Sequence, residues 1–542
     1  MSILANFILN QYFVNFRCLI ILTDNPNFFE YSGKQQIINL FINFSSNNTV
    51  FIDEFITTNY HGCQGIVVDT SKPTQVFEYL EDKIRHSLVR FHFRRYLIIM
   101  RNKKQYSKIE FETDALTYIA DVLIVFAKNK NEFEMWTHNY VGVKDMNSLK
   151  MLDKWFTKNE SFLFGNDLYP DKLTSQNGRN FVVSCIRYTP YALCDPELND
   201  DQYYGTELKA AAEYAKAHNM TIVFKYNDNE EDLWGDLYSN WTGTGIMGNI
   251  LLDYADIGFS ALNTWAFVDP FLDTSVHYIR TGIPCLVPQP EAVTGWIIPL
   301  LSYAPTLWVA ALINFFINIV AVTLINLYYE KIDGTKKKIF YNTFINSFWV
   351  VLKISLSQGL TKSTKRNHSS LRILFLVLLS MYSILDSSYF SGLASIMTIP
   401  RYQPPIDTVA ELAHQNVKIY ALSDAWAFSF ADADDEVYLK ILANFRSATV
   451  EQRELSKQKN NAFMIERLPF QAYAVNDYIQ RDVIENYHLM DEDIFWDYTR
   501  FFLRKSSILI PSFDTYITRV VEFGIASQWQ GEVGFYSIEI IA

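Results

Sequence analysis

Between Ala292 and Pro400 the chain carries two apolar runs that a soluble fold would struggle to absorb. Ala292–Tyr329 holds no Asp, Glu, Lys or Arg, and Ile373–Pro400 holds only Asp386. A bilayer core of ~30 Å is spanned by roughly 20 helical residues, so each run is long enough. Between the runs lie Lys331, Lys336, Lys337, Lys338, Lys362, Lys365 and Arg366, against Glu330 and Asp333. Such a cluster predicts a cytoplasmic loop joining two spans, with the flanking polar sequence together on the outer side. The sequon at Asn367 falls in that loop and would stay unused.

The rest of the chain bounds the problem. At 542 residues it exceeds one domain, and a hydrophobic fraction of 49% does not fit a many-span transporter. A net charge of -12 argues against nucleic-acid binding, which needs clustered Lys and Arg. Cys18, Cys63, Cys185, Cys194 and Cys285 all precede the first span, and none forms a CxxC pair, so structural zinc is not expected. Sequons at Asn43, Asn47, Asn159, Asn219 and Asn240 are compatible with glycosylation of an extracellular N-terminal part. The histidines lack metal-ligand spacing and no GxSxG is present, so neither metal, cofactor nor enzymatic activity is expected. Gly243–Gly248 spells GxGxxG, but turn-rich polar sequence precedes it where a dinucleotide site needs a strand, so a glycine-rich loop is expected.

Taken in order, residues 1–172 alternate short apolar runs with helical stretches and predict an N-terminal α/β domain with a parallel sheet. Strands are expected at Cys18–Leu22, Gly65–Asp69, Tyr96–Met100 and Asp121–Phe126, helices at Lys34–Phe44 and Pro73–Arg85. The apolar stretch Met1–Leu22 is interrupted by Asn10, Gln11, Asn15 and Arg17 and reads as leading into a buried strand rather than as a clean signal peptide. Trp155–Gly178 is expected to be a linker. The same α/β style returns at 180–290 and again at 402–535. Two α/β blocks with a membrane insert between them is the strongest organisational clue.

Within the basic loop, Phe340–Gly359 is apolar but too short to span. By spacing alone it fits an interfacial amphipathic helix or a re-entrant loop lining protein or water. Asn314 and Asn318, one turn apart on the first span, are expected to pack against a neighbouring helix. Asp386 is an intramembrane acid, expected either to join a cation-attracting ring between subunits or to form a local hydrogen bond.

Two motifs here resemble those of the ionotropic glutamate receptors. Asn346-Ser347-Phe348-Trp349 followed by Ser357-Gln358-Gly359 is similar to their pore loop. Ser388-Tyr389-Phe390-Ser391-Gly392-Leu393-Ala394-Ser395-Ile396-Met397-Thr398 is similar to the gate signature SYTANLAAFLT, with Ser388, Tyr389, Leu393, Ala394 and Thr398 identical. The resemblance implies a multi-domain membrane protein: an N-terminal α/β domain (1–172), a two-lobed clamshell like a periplasmic binding protein (180–290 and 402–535), and a helical pore unit. In that unit it implies spans at 297–329 and 371–400 around a re-entrant loop at 340–360. The pore residues would be Ser357, Gln358 and Gly359. Phe181–Ser184 with Pro190-Tyr191, Ala255–Gly258, Asp273–Ser275, Ala462–Glu466 and Glu522-Phe523-Gly524 with Trp529 fit the clamshell, though thinly.

Departures from the family are as informative. Alignment on Asp256 and Asp273 puts Val268 where the family has its carboxylate-clamping arginine, and the forked grip of a guanidinium is lost. Ala425-Trp426-Ala427-Phe428 replaces a small, hydroxyl-rich helix start beside Asp424. Glu466 falls at the family's amino-group acceptor, or is simply a surface or capping residue. Tyr188, Val268, Asp424, Trp426 and Glu466 are thus the candidate ligand residues, with lobe core as the plain alternative for the aromatics. The resemblance then implies a non-glutamate, apolar or aromatic ligand and a chemosensory cation-channel subunit, as in insect ionotropic receptors. It implies assembly with co-receptor subunits in a hetero-tetramer of a sensory neuron's plasma membrane, with an extracellular clamshell. A membrane-anchored small-molecule-binding protein without conduction is the competing expectation. The family's final membrane helix would have to begin near Gly534–Ala542, and is expected to be absent or truncated.

Overall fold

The computed structural model describes residues 2–16, 18–24, 38–43, 63–100, 113–194, 204–229, 232–293, 295–332, 340–359, 369–399, 402–447, 452–474 and 484–541. It divides into two compact units, Met1–Pro288 with Asp407–Ala542, and Gln289–Ile406.

In the first unit, an eight-stranded sheet organises the N-terminal domain. Strands Ile38–Asn43, Cys18–Thr23, Gly65–Asp69, Arg95–Met100 and Val122–Asn129 run parallel, in that order. Alternate side chains on a strand point to opposite faces. Leu19 and Ile21 therefore pack with Leu4, Ile8 and Leu9 of helix Ser2–Tyr12, while Ile20 and Leu22 meet Val76, Phe77 and Leu80 of helix Pro73–Arg85. The stretch before Cys18 is thus a domain helix with one buried face. Ile38–Asn43 is a strand where the sequence suggested a helix; its run Ile38-Asn39-Leu40-Phe41-Ile42 is short enough to satisfy either period.

Past Asn129 the sheet becomes antiparallel, because only Lys130-Asn131 separates it from Glu132–His138 and so short a loop closes only a hairpin. Leu149–Phe156 and Ser161–Phe162 extend it, so Trp155 is a buried sheet residue rather than linker. The Asp153 carboxylate then orders the following turn by accepting the backbone N–H groups of Leu163, Phe164, Gly165 and Asn166.

The first lobe holds a five-stranded sheet ordered Met220–Lys225, Arg179–Ser184, Ile257–Gly258, Phe502–Arg504, Leu272–Thr274. Helix Thr206–Ala217 and helix Ile510–Glu522 share its core. The second lobe holds the order Phe445–Ser447, Ile419–Ala421, Ala462–Met464, Cys285–Pro288, Tyr487–Leu489, beside a smaller sheet containing Arg280–Ile283 and Phe495–Tyr498. The lobe boundaries read from sequence therefore shift. Residues 280–288 pair in the second lobe, and 502–522 pack in the first. The chain crosses between lobes twice. The crossings pair with one another: Ser275 N–H to Phe501 O (2.8 Å), Tyr278 N–H to Thr499 O (2.9 Å) and Thr499 N–H to Ile279 O (2.8 Å).

A charged seam joins the N-terminal domain to the first lobe. Buried Arg94 forms a two-pronged pair with Glu81 (2.8 Å each) and donates to Ser506 O (2.7 Å). The Asp273 carboxylate, 1% exposed, receives Arg90 Nε (2.8 Å) and Ser506 N–H (2.7 Å), with Lys505 Nζ at 3.5 Å. Arg85 and Arg504 both face the Tyr118 ring, each 4.6 Å from its centroid. Disulfides Cys18–Cys63 and Cys185–Cys194 lie in this unit, and Cys285 is a buried thiol.

The second unit is helical. Among the described residues, two helices are long and apolar enough to cross a membrane, Pro305–Ile332 and Ser369–Thr398. The first starts later than its apolar run: Ile298–Leu301 is a separate short helix, and Pro305 opens the long one at a position where a missing N–H costs nothing. Helix Phe340–Ser355 lies between them in sequence and buries Thr343, Ser347, Val350, Val351 and Ile354. Ile319 and Val322 of the first long helix, Val350 and Val351 of the short one, and Leu378 and Tyr382 of the second long helix form one core. Asn318 Nδ2 donates to Tyr382 OH (3.4 Å), and Asn326 Nδ2 to Ser347 Oγ (3.3 Å). Asn318 thus meets the neighbouring long helix as expected, as does Asn314, whose Nδ2 lies 3.5 Å from Met381 Sδ, and Asn326 adds a contact to the short helix.

Candidate functional site

Two places gather chemistry: a cleft in the first unit and the helix ends of the second.

The cleft lies between the two lobes and is lined by Trp234, Ala261, Asn263 and Trp265 from one, and Ile283, Ala425, Trp426, Ser429 and Glu466 from the other. Its free volume is about 20 Å³, room for a single water. Trp265 bridges the lobes, with Nε1 3.2 Å from Ser429 Oγ and its ring edge-on to Phe428 at 5.5 Å. Phe267 meets Phe428 at 5.0 Å. Trp234 is fixed by donating Nε1 to Ser260 O at 2.6 Å, and Tyr188 stands edge-on to it while stacking on Tyr191.

Glu466 is buried at the cleft floor. Desolvation pushes its carboxyl up to about 8, against the hydroxyls of Tyr191 and Tyr188, which favour the ionised form. Glu207, also fully buried, is pushed up to about 7 by desolvation although it accepts the N–H groups of Ser260 (2.9 Å) and Ala261 (3.0 Å). Two further cleft groups, Trp426 Nε1 and Asn263 Oδ1, are buried without a protein partner. Among the described lining residues no Arg or Lys is present. The site therefore offers one unpaired donor, one unpaired amide acceptor, an acid and three indole faces.

Of the residues singled out in the sequence, Trp426 and Glu466 meet in this wall, and Tyr188 sits directly behind Glu466. Val268 does not line it. It ends the short turn Ala266–Val268 and is buried, 1% exposed. Asp424 is exposed and repels Asp236, whose carboxyl is raised first by burial and then by Asp424. Trp234, Asn263, Trp265 and Ser429 were not legible, because they come from separate segments with no shared spacing. The GxGxxG stretch begins in the hairpin Leu237–Tyr238/Thr242–Gly243 and runs into helix Gly245–Leu251. Among the described residues, no parallel strand leads directly into it. Asn159, Asn219 and Asn240 are exposed. Asn43 lies at the end of its strand, and Asn47 lies outside the described residues.

In the second unit, helix Phe340–Ser355 stops in a left-handed turn. Ser357 has φ of 53°. Its N–H reaches Ile354 O (3.1 Å) and that of Gln358 reaches Lys353 O (2.8 Å). This pair of bonds is the glycine-type helix ending, with a serine in the glycine's place at a cost of about 1 kcal/mol. The Ser357 hydroxyl donates to the Asp386 carboxylate. Gln358 and Gly359 follow in irregular backbone. Ser388, Tyr389, Leu393, Ala394 and Thr398 share the long helix Ser369–Thr398. Tyr389 packs against Tyr303 (5.6 Å) and Trp308 (6.2 Å), and Thr398 donates to Ala394 O at 2.8 Å. Gly392 passes so close to the Ser302 carbonyl that a Cβ there would lie 2.8 Å from it.

Residues 304–486, which take in both long helices, the short helix and much of the second lobe, match the family model described as "Ligand-gated ion channel". Over this segment the chain matches the ligand-gated ion channel family. The chain is also 25% identical over 377 residues to "Glutamate receptor 2" of Caenorhabditis elegans, an alignment covering 61% of this chain and 37% of that protein. Both matches support the ionotropic glutamate receptor superfamily, and neither points to an enzyme family. The chain spans little more than a third of that relative's length.

Proposed function

We propose that the chain is a subunit of a ligand-gated cation channel of the divergent, chemosensory kind, gated by a small molecule other than glutamate. The observation that carries it is a cleft walled by three indoles and one acid, with no cation among its described lining residues, in the same chain as a channel-type helical segment. A dicarboxylate has nothing there to neutralise it. An aromatic or apolar amine fits: its ammonium displaces the proton of Glu466, its apolar body lies on the indoles, and a polar group meets Trp426 Nε1 and Asn263 Oδ1. Entry requires the lobes to part, since the closed cleft holds about one water. Reclosure then moves the chain at 289 and 406, where the second unit begins and ends.

In this reading Phe340–Ser355 with Ser357, Gln358 and Gly359 forms a re-entrant pore loop. Its 16 residues rise only about 24 Å at 1.5 Å each, and its core contacts are with both long helices rather than with one side alone. Ser388, Tyr389, Leu393, Ala394 and Thr398 form the gate where helices of separate subunits cross, in a hetero-tetramer with co-receptor subunits. The clamshell is extracellular, glycosylated at sites such as Asn240, and the cell a sensory neuron.

Co-expression with candidate co-subunits, followed by a panel of aromatic amines and by glutamate, tests the reading. Inward current evoked by an amine and not by glutamate is the expected result. Saturable amine binding with no current in any subunit combination would replace it with the membrane-anchored binding protein. Current evoked by glutamate alone would overturn the ligand assignment.

A further inference from the structure

We propose that Asp386 is the charge-selecting group of the permeation path, held toward the tip of the pore loop by Ser357, and that it favours divalent over monovalent cations. Resting on the channel reading above, this adds a residue that neither motif contains. Asp386 is the sole acid of helix Ser369–Thr398. Its hydrogen-bond partner is an uncharged hydroxyl, so its charge is left available to an ion. Arg372, the one basic residue of the same helix, is fourteen positions back, roughly 21 Å at 1.5 Å per residue.

The backbone shows that this approach is built rather than incidental. A left-handed serine ends helix Phe340–Ser355 where glycine would be at ease, and that serine is the residue whose side chain reaches Asp386. A glycine would relieve the backbone and lose the contact. The carbonyl end of that helix also points partial negative charge at the same spot. Carboxylate, hydroxyl and carbonyl oxygens are hard ligands, suited to a divalent ion, and rings of acidic side chains select cations in pores. An acid at membrane depth facing lipid would be costly, whereas one facing a water-filled path is not.

The test needs neither the natural ligand nor current. In unsealed membranes bearing the full chain, Gln358→Cys serves as reporter, reacted with a cationic trimethylammonium methanethiosulfonate and with a neutral methanethiosulfonate. The expected result is reaction with both reagents, with the cationic-to-neutral rate ratio falling roughly tenfold on adding Asp386→Asn, between the water and protein-surface limits for nearby charges. Adding Ser357→Ala instead should lower the ratio part of the way, and adding Asp386→Glu should preserve most of it. Millimolar-range Ca²⁺ should slow the cationic reagent more than Na⁺ at equal ionic strength, and Asp386→Asn should abolish that difference. A ratio unmoved by Asp386→Asn, or a reporter that neither reagent reaches, overturns the assignment whatever the conductance. The expected ratios without conductance in any subunit combination would instead sink the channel reading and leave the cation site standing.

Discussion

At the scale of single residues, buried carboxylates decide most. Asp273 is held by Arg90, Lys505 and the Ser506 N–H on the seam between N-terminal domain and first lobe. Asp273→Ala strands a buried lysine and should cost about 3 kcal/mol, as for other broken buried pairs. The loss should read as a lower Tm of the detergent-solubilised protein, with Arg90→Ala costing less, because Arg90 is itself 41% exposed and Asp273 keeps Lys505 and the Ser506 N–H. Glu466 gives a pH signature. Its folded value of about 8 exceeds its ordinary 4.5, so its stabilising contribution is full below pH 4.5, declines as pH climbs toward 8, and is flat above. Glu466→Gln stays neutral throughout. Between about pH 5 and about pH 9 its Tm should therefore fall less steeply than that of the parent. Parallel curves would show that Glu466 is ionised or solvated at the cleft floor. Glu466 was visible in the sequence only through the family motif. Glu207, whose like charge opposes ionisation of Glu466, was not visible at all, since one glutamate at the start of a helix looks like any other until the Ser260–Ala261 turn closes over it.

At the scale of elements, legibility followed length and charge. The two long helices could be read because charge is excluded from them for whole helical turns, and Pro73–Arg85 because its apolar period repeats. Short strands failed. Phe502–Arg504 is three residues long, and its partners Ile257–Gly258 and Leu272–Thr274 lie far away in sequence. No local pattern can announce such a pairing. The left-handed turn at Ser357 was equally hidden, because serine there opposes the usual preference for glycine. Cysteine pairing belongs to this scale too. Cys18–Cys63 closes a far longer loop than Cys185–Cys194, 45 against 9 residues of separation. Chain entropy puts their contributions at about 4 and about 3 kcal/mol. Cys63→Ser should therefore lower the unfolding temperature more than Cys194→Ser, measured under non-reducing conditions.

At the scale of the molecule, the fold is discontinuous, and this sets what can be cut from it. A soluble head made of residues 175–288 joined by a short linker to 404–533 should be monodisperse on gel filtration. One ending before Phe501 should aggregate, since it removes a central strand and helix Ile510–Glu522 from the first lobe's core. Folding of the shorter version would mean the first lobe is complete without its C-terminal part. The sequence announced two α/β blocks but not that each lends strands to the other, because composition does not record which block a strand joins. The exchange has a mechanical consequence. The lobes are connected by two irregular segments hydrogen-bonded to one another, residues 275–280 and 498–501. Such a ribbon resists shear and twist within its own plane but flexes across it, like a leaf spring. The head therefore has one compliant axis. With the first lobe braced by the seam at Asp273, right at the ribbon's root, the second lobe should swing through a single arc rather than wobble, so that under the proposed function a ligand in the cleft would displace it along one direction.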